Sequence, residues 1–192
     1  MKSKPRQPTS LLGLLGLSLF CGAAAAHTGG DAAGGFSEGF LHPFLGIDHL
    51  VAMIAVGLWA AQQGGRARWA VPAAFAGATL IGGVLALQGG VLPYVETGVA
   101  LSVLVLGLLI AAQFRQPAVA VAIAAAFALS HGYAHGLEMP PALSSMRYVL
   151  GCGLATVCLL GVGVLGGSMF RRATRAAGYG IAAAGLALIL GA

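Results

Sequence analysis

Charged residues are scarce in this chain: Asp, Glu, Lys and Arg make up only 8% of it. An ordinary soluble domain carries about 25%. So few charges cannot cover a water-facing surface, which excludes a soluble globular protein. Acids are the rarer sign, five against ten Lys and Arg. The resulting net charge of +5 is too small and too scattered to build a basic face, which excludes nucleic acid as a partner. Cysteine is sparse too. Cys21, Cys152 and Cys158 make no disulfide framework. Cys152 and Cys158 are six positions apart, so on a helix they point to different faces and read as small buried thiols. No GxxxxGK[ST] loop occurs, and no polar stretch is long enough to form a nucleotide-holding domain.

What the chain has instead is hydrophobic length, with 58% hydrophobic residues. It opens on the basic segment MKSKPRQPTS, an apolar run LLGLLGLSLFC and the small residues AAAA. That order is the pattern of a secretory signal. Residues 1–26 are therefore expected to be a signal peptide, and cleavage after Ala26 makes His27 the first mature residue. An uncleaved anchor helix is the alternative. Residues 27–192 are expected to form one transmembrane domain, beginning with a Gly-rich, weakly acidic periplasmic lead-in over 27–41.

Apolar runs long enough to cross a bilayer fall at about 43–62, 69–88, 93–113, 117–138, 147–169 and 174–191. The predicted fold is all-α, a six-transmembrane-helix bundle. Arg66 and Arg68 follow the first run, Arg115 the third, and Arg171, Arg172 and Arg175 the fifth. The alternate loops hold only Arg147. Positive loops stay cytoplasmic, so both mature termini are expected outside. A cleaved signal demands the same orientation.

Lipid penalises polar groups, yet the first run begins HPFLGIDH. Pro43 suits a first helical position, after His42. His42 and His49 are seven apart, close to two turns, and are predicted to share a face that Met53 continues. The fourth run carries ALSHGYAHGLEMP. There His131, His135 and Glu138 are spaced four and three apart, one stripe of a helix. Gly132 and Gly136 run beside them as a small-xxx-small groove. At about 1.5 Å per residue, His49 and His131 both lie roughly 9–10 Å below the outer surface. Glu96 opens the third run from the same side, and His27 and Asp31 can approach from the lead-in, where the His27 α-amine and imidazole together offer a chelate.

Ionisable groups inside spans are costly and usually functional. Imidazoles with carboxylates and no thiolate suit a borderline divalent cation: Ni²⁺, Co²⁺, Zn²⁺ or Cu²⁺. Asp48 and Glu138 can each be a ligand or the orienting partner of a histidine. Ser130, Tyr133, Thr79 and Gln88 read as hydrogen bonding between helices. The inner halves of the spans carry no matching ladder of histidines or acids.

HPFLGIDH, with its His-x5-Asp-His spacing, and SHGYAHGLE together make the chain resemble the HupE/UreJ family of bacterial membrane proteins. That resemblance implies nickel uptake across the inner membrane in support of hydrogenase or urease maturation, with cytoplasmic nickel chaperones as partners. It places the first family motif on His42, Asp48 and His49, and the second on His131, His135 and Glu138. It also implies roles for Phe75 and Glu96. The expected protein is a passive or secondary permease with no cofactor, and not an enzyme. Two other readings stay open: an intramembrane zinc hydrolase using Ser130 beside His131, and a metal-binding delivery protein that does not transport.

Overall fold

In a bilayer every backbone N–H and C=O must find its partner within the protein, so a chain this apolar crosses as helices. The computed structural model describes residues 35–141 and 145–191. Among the described residues there are seven helices: α1 (Phe36–Leu45), α2 (Ile47–Gln63), α3 (Ala67–Leu87), α4 (Val95–Ala111), α5 (Pro117–Leu137), α6 (Ser145–Met169) and α7 (Thr174–Gly191). The expected signal peptide, His27 and Asp31 lie outside the described residues. Helices α3, α5, α6 and α7 are long and apolar enough to cross a membrane. Together α1 and α2, bent by 83°, have the length and apolarity of one broken span or a re-entrant loop. Helix α4 is apolar but shorter, at 17 residues.

The first crossing departs most from expectation. Helix α1 starts at Phe36, inside the stretch read as a lead-in, and Pro43 is a buried interior residue rather than the first helical one. The helix then breaks at Gly46, whose backbone is extended at φ −85 and ψ 110. Pro43 has no N–H to give the Gly39 carbonyl, which weakens this turn. Glycine has little to lose by leaving the helix. The bent arm is held against α6 by close backbone approach: a Cβ on Gly39 would strike the Tyr148 carbonyl, and one on Gly151 the Phe36 carbonyl.

Helices α3 and α5 approach in the same way. A Cβ on Gly132 would collide with the backbone of Thr79, and one on Gly136 would meet Ala86 and the Gly83 carbonyl. The groove beside the histidine stripe therefore does admit a neighbouring helix. Tyr133 donates its hydroxyl to the Gly90 carbonyl at 2.7 Å, joining α5 to the loop after α3. Thr79 instead bonds its own helix, donating to the Phe75 carbonyl at 2.9 Å. Gln88 is exposed. Of the two cysteines described, Cys152 is buried as expected but Cys158 is exposed, since its face of α6 turns outward.

Met53, Val56, Trp59, Phe75, Leu106 and Ile110 are fully buried and form the middle of the bundle. Leu80, Ile81, Leu154 and Val157 point outward, as lipid-facing side chains do. At one end, Trp59 and Gln63 donate to the Phe114 carbonyl at 3.1 and 2.9 Å. Beside them Gln62 donates to the Ile110 carbonyl at 3.1 Å and reaches the Thr174 hydroxyl at 3.4 Å. These bonds gather the ends of α2 and α4 and the start of α7, close in sequence to Arg66, Arg115 and Arg171. The opposite end brings Asp48, Glu96, Glu138 and Gly191 around one cleft.

Candidate metal centre

Helix α5 supplies the inner wall of the site. It is continuous from Pro117 to Leu137, so the four-residue step from His131 to His135 keeps both rings on one side. Both rings are buried. Glu138 follows as the C-cap residue, with half of its side chain exposed. The bent arm brings His42 across to it: His42 Nε2 and Glu138 Oε2 are 2.7 Å apart. That hydrogen bond holds the Glu138 carboxyl below its ordinary range, against the opposing effect of partial burial. The carboxylate is therefore ionised at neutral pH.

His42, His135 and Glu138 each offer a ligand atom, and the three atoms lie within 4.8 Å of one another. The His135 ring sits 5.0 Å from that of His42 and 4.4 Å from that of His49, centre to centre. Neither nitrogen of His135 has a hydrogen-bond partner among the described residues. Buried polar atoms are normally paired. Two unpaired nitrogens beside a carboxylate and a second imidazole fit a divalent cation of borderline softness.

Asp48 takes the orienting role rather than joining this group. Its Oδ1 accepts both the His49 backbone N–H, at 2.8 Å, and His49 Nδ1–H, at 2.9 Å. A carboxylate bound to one ring nitrogen fixes the tautomer and leaves the other nitrogen basic. His49 Nε2 is indeed buried without a partner. Gly46 leaves room for this pair, since a Cβ there would sit 3.0 Å from Asp48 Oδ1 and 3.2 Å from His49 Nδ1. The predicted shared face of His42 and His49 does not exist, because the helix breaks between them; their rings still come within 6.3 Å.

His131 lies deeper and is fully buried, 4.9 Å from His49 and 5.6 Å from Phe75 between ring centres. Phe75 thus closes the inner side of the cluster. The serine that touches His131 is Ser102, at 2.8 Å, and not Ser130. Glu96 stands apart from the ligand atoms. It shares with Asp48 and Glu138 the lining of an open cleft of about 660 Å³, and with Glu138 that of a second of about 440 Å³. Sequence reasoning missed two neighbours, Ser102 and Tyr148. The Tyr148 ring is 5.7 Å from that of His42. Their only signal was polarity within an apolar run.

Bundle and cluster define a multi-pass α-helical membrane protein with a partly buried imidazole–carboxylate cluster. Sequence comparison narrows this: the family described as HupE / UreJ protein matches residues 15–188. Protein HupE of Rhizobium leguminosarum bv. viciae is 44% identical over 174 residues, which covers 88% of this chain and 91% of that protein. No solved structure matches the chain. The chain belongs to the HupE/UreJ family.

Proposed function

We propose that this protein is a nickel permease of the bacterial inner membrane, taking Ni²⁺ from the periplasm toward hydrogenase or urease maturation. Length and apolarity support up to five crossings with the bent pair counted once, and the reading takes α4 as the sixth. At about 1.5 Å per residue, α4 is only slightly shorter than a hydrocarbon core of about 30 Å. The arginine pattern read in the sequence, together with the expected signal peptide ending at Ala26, supports a periplasmic histidine cluster with the mature termini outside. The single observation that carries the reading is the His42–His135–Glu138 group, three ligand atoms within 4.8 Å, of which Glu138 also lines an acidic cleft.

Glu96, Asp48 and Glu138 concentrate cations at the cleft. The ion sheds part of its water shell and binds His42, His135 and Glu138, with His49 and His131 next along the path. His27 can add a ligand from the mature N-terminus. Co²⁺, Zn²⁺ and Cu²⁺ suit the same donors. A divalent ion crossing about 100 mV, negative inside, gains roughly 4.6 kcal/mol. That drives roughly thousandfold accumulation with no further fuel, and cytoplasmic nickel chaperones act as a sink.

The test is uptake of radioactive Ni²⁺ by vesicles containing the purified protein. Glu138→Gln should cut uptake by about tenfold or more, since it replaces an anionic ligand and a charge-assisted bond to His42 with a neutral amide. Wild-type vesicles that bind Ni²⁺ without flux would overturn transport in favour of a delivery protein. Imidazole must be unprotonated to ligate a metal. An ordinary histidine titrates near pH 6.5, whereas the Glu138 carboxyl is held below its ordinary value of 4.5. Ni²⁺ affinity should therefore fall as pH drops from about 7.5 to 5, with the carboxylate ionised throughout. Equal affinity at both ends of that range would show that no ligating imidazole takes up a proton within it.

A further inference from the structure

The proton on His131 can be placed by counting donors. Ser102 Oγ is 2.6 Å from the Val99 carbonyl and 2.8 Å from His131 Nε2. The hydroxyl has one proton to give. If it went to Nε2, the ring proton would sit on Nδ1, which has no partner among the described residues. A buried N–H with no acceptor is the costlier arrangement. If the hydroxyl donates to Val99, His131 Nε2–H donates to Ser102 Oγ and every donor is matched. What remains is a lone pair on Nδ1. The same count at His49 puts the proton on Nδ1, toward Asp48, and leaves a lone pair on Nε2. Two adjacent buried rings, edge to face at 4.9 Å, thus each hold a bare nitrogen.

We propose that Ser102 is a positioning residue for the transported cation: by accepting His131 Nε2–H it keeps Nδ1 bare, so that His131 and His49 offer an all-imidazole station inward of the His42–His135–Glu138 group. The inference rests on the transport reading above. His135, whose ring neighbours both His42 and His49, is the rung shared by the two stations. The outer group includes a carboxylate, which hard cations such as Mg²⁺ and Ca²⁺ accept as a ligand. The inner station offers only nitrogen, so it favours a borderline ion and rejects a hard one. The direction of the Ser102–His131 bond also opposes Ser102 as an activated nucleophile. The ring donates to the hydroxyl, the reverse of what a general base does to a nucleophile, and Ser102 is fully buried.

The full chain, labelled with ¹⁵N-histidine and kept metal-free in detergent, reports the tautomer of each ring by NMR; His131 is assigned by the signal lost in His131→Gln. The wild type should show His131 as the Nε2–H tautomer. Ser102→Ala should give a mixture and lower Ni²⁺ uptake in vesicles by about tenfold, the effect of losing an orienting partner. Ser102→Thr, which keeps the hydroxyl, should restore both. An Nδ1–H tautomer in the wild type, or unchanged uptake in Ser102→Ala, overturns the proposal. The wild-type spectrum decides even where a variant fails to fold. Wild-type vesicles that take up no Ni²⁺ overturn the transport reading instead, and the spectra still decide the tautomer.

Discussion

Replacing His135 with leucine should reduce Ni²⁺ uptake by about 100-fold or more and leave the metal-free protein no less stable than the wild type. Losing an orienting partner typically costs 10–100-fold, and His135 is more central than that. Its ring is the neighbour of both His42 and His49, and it belongs to the only group of three ligand atoms found among the described residues. The stability arm follows from its two unpaired nitrogens. Leaving a buried polar group unsatisfied costs about 1–3 kcal/mol, and leucine fills similar space without that penalty. Vesicle uptake and thermal unfolding in detergent give the two readouts. Retained uptake with a lowered midpoint would mean that His135 serves packing and not the metal.

Gly132→Val should have the opposite character, losing fold and function together. The backbone of α5 lies directly on Thr79 at this point, so any Cβ there meets backbone rather than a movable side chain. Ordinary overpacking costs about 1–3 kcal/mol; here the helices themselves must separate, and a cost above that range is expected. His131 precedes Gly132 and His135 follows three residues later, so the separation also disperses the cluster. Gly77→Val is the control, because nothing lies within 4 Å of a Cβ at Gly77. The yield of monodisperse protein and its unfolding midpoint should drop sharply for the first variant and stay near wild type for the second. Two variants that behave alike would show that this contact does not hold α3 to α5.

How much of the site was readable from residue spacing depends on the helix in question. On α5 the four- and three-residue steps hold because the helix runs unbroken to Leu137, and the predicted stripe is there. In HPFLGIDH the same arithmetic fails. Two turns from His42 to His49 assumes a helix through Gly46, and the chain bends there by 83°. Beyond the break the arm packs closely on α6, at Tyr148 and Gly151. Spacing leaves Asp48 open between ligand and orienting partner, and its 2.9 Å bond to His49 Nδ1 fits the second. Ser102 was out of reach altogether: one hydroxyl in an apolar run carries no spacing that points to a histidine 29 positions away.

The sequence by itself determined that the chain lives in a membrane, that it is helical, which groups are candidate ligands, and that His131 and His135 share one side of α5 with Glu138 at its end. Those properties are local: they follow from composition and from the period of a single helix. Only the tertiary structure decided that His42 reaches Glu138, that Asp48 serves His49 and that Ser102 serves His131. The first and third of those pairings join residues of different helices, far apart in the chain, and the second, between neighbours in sequence, forms where the backbone breaks at Gly46.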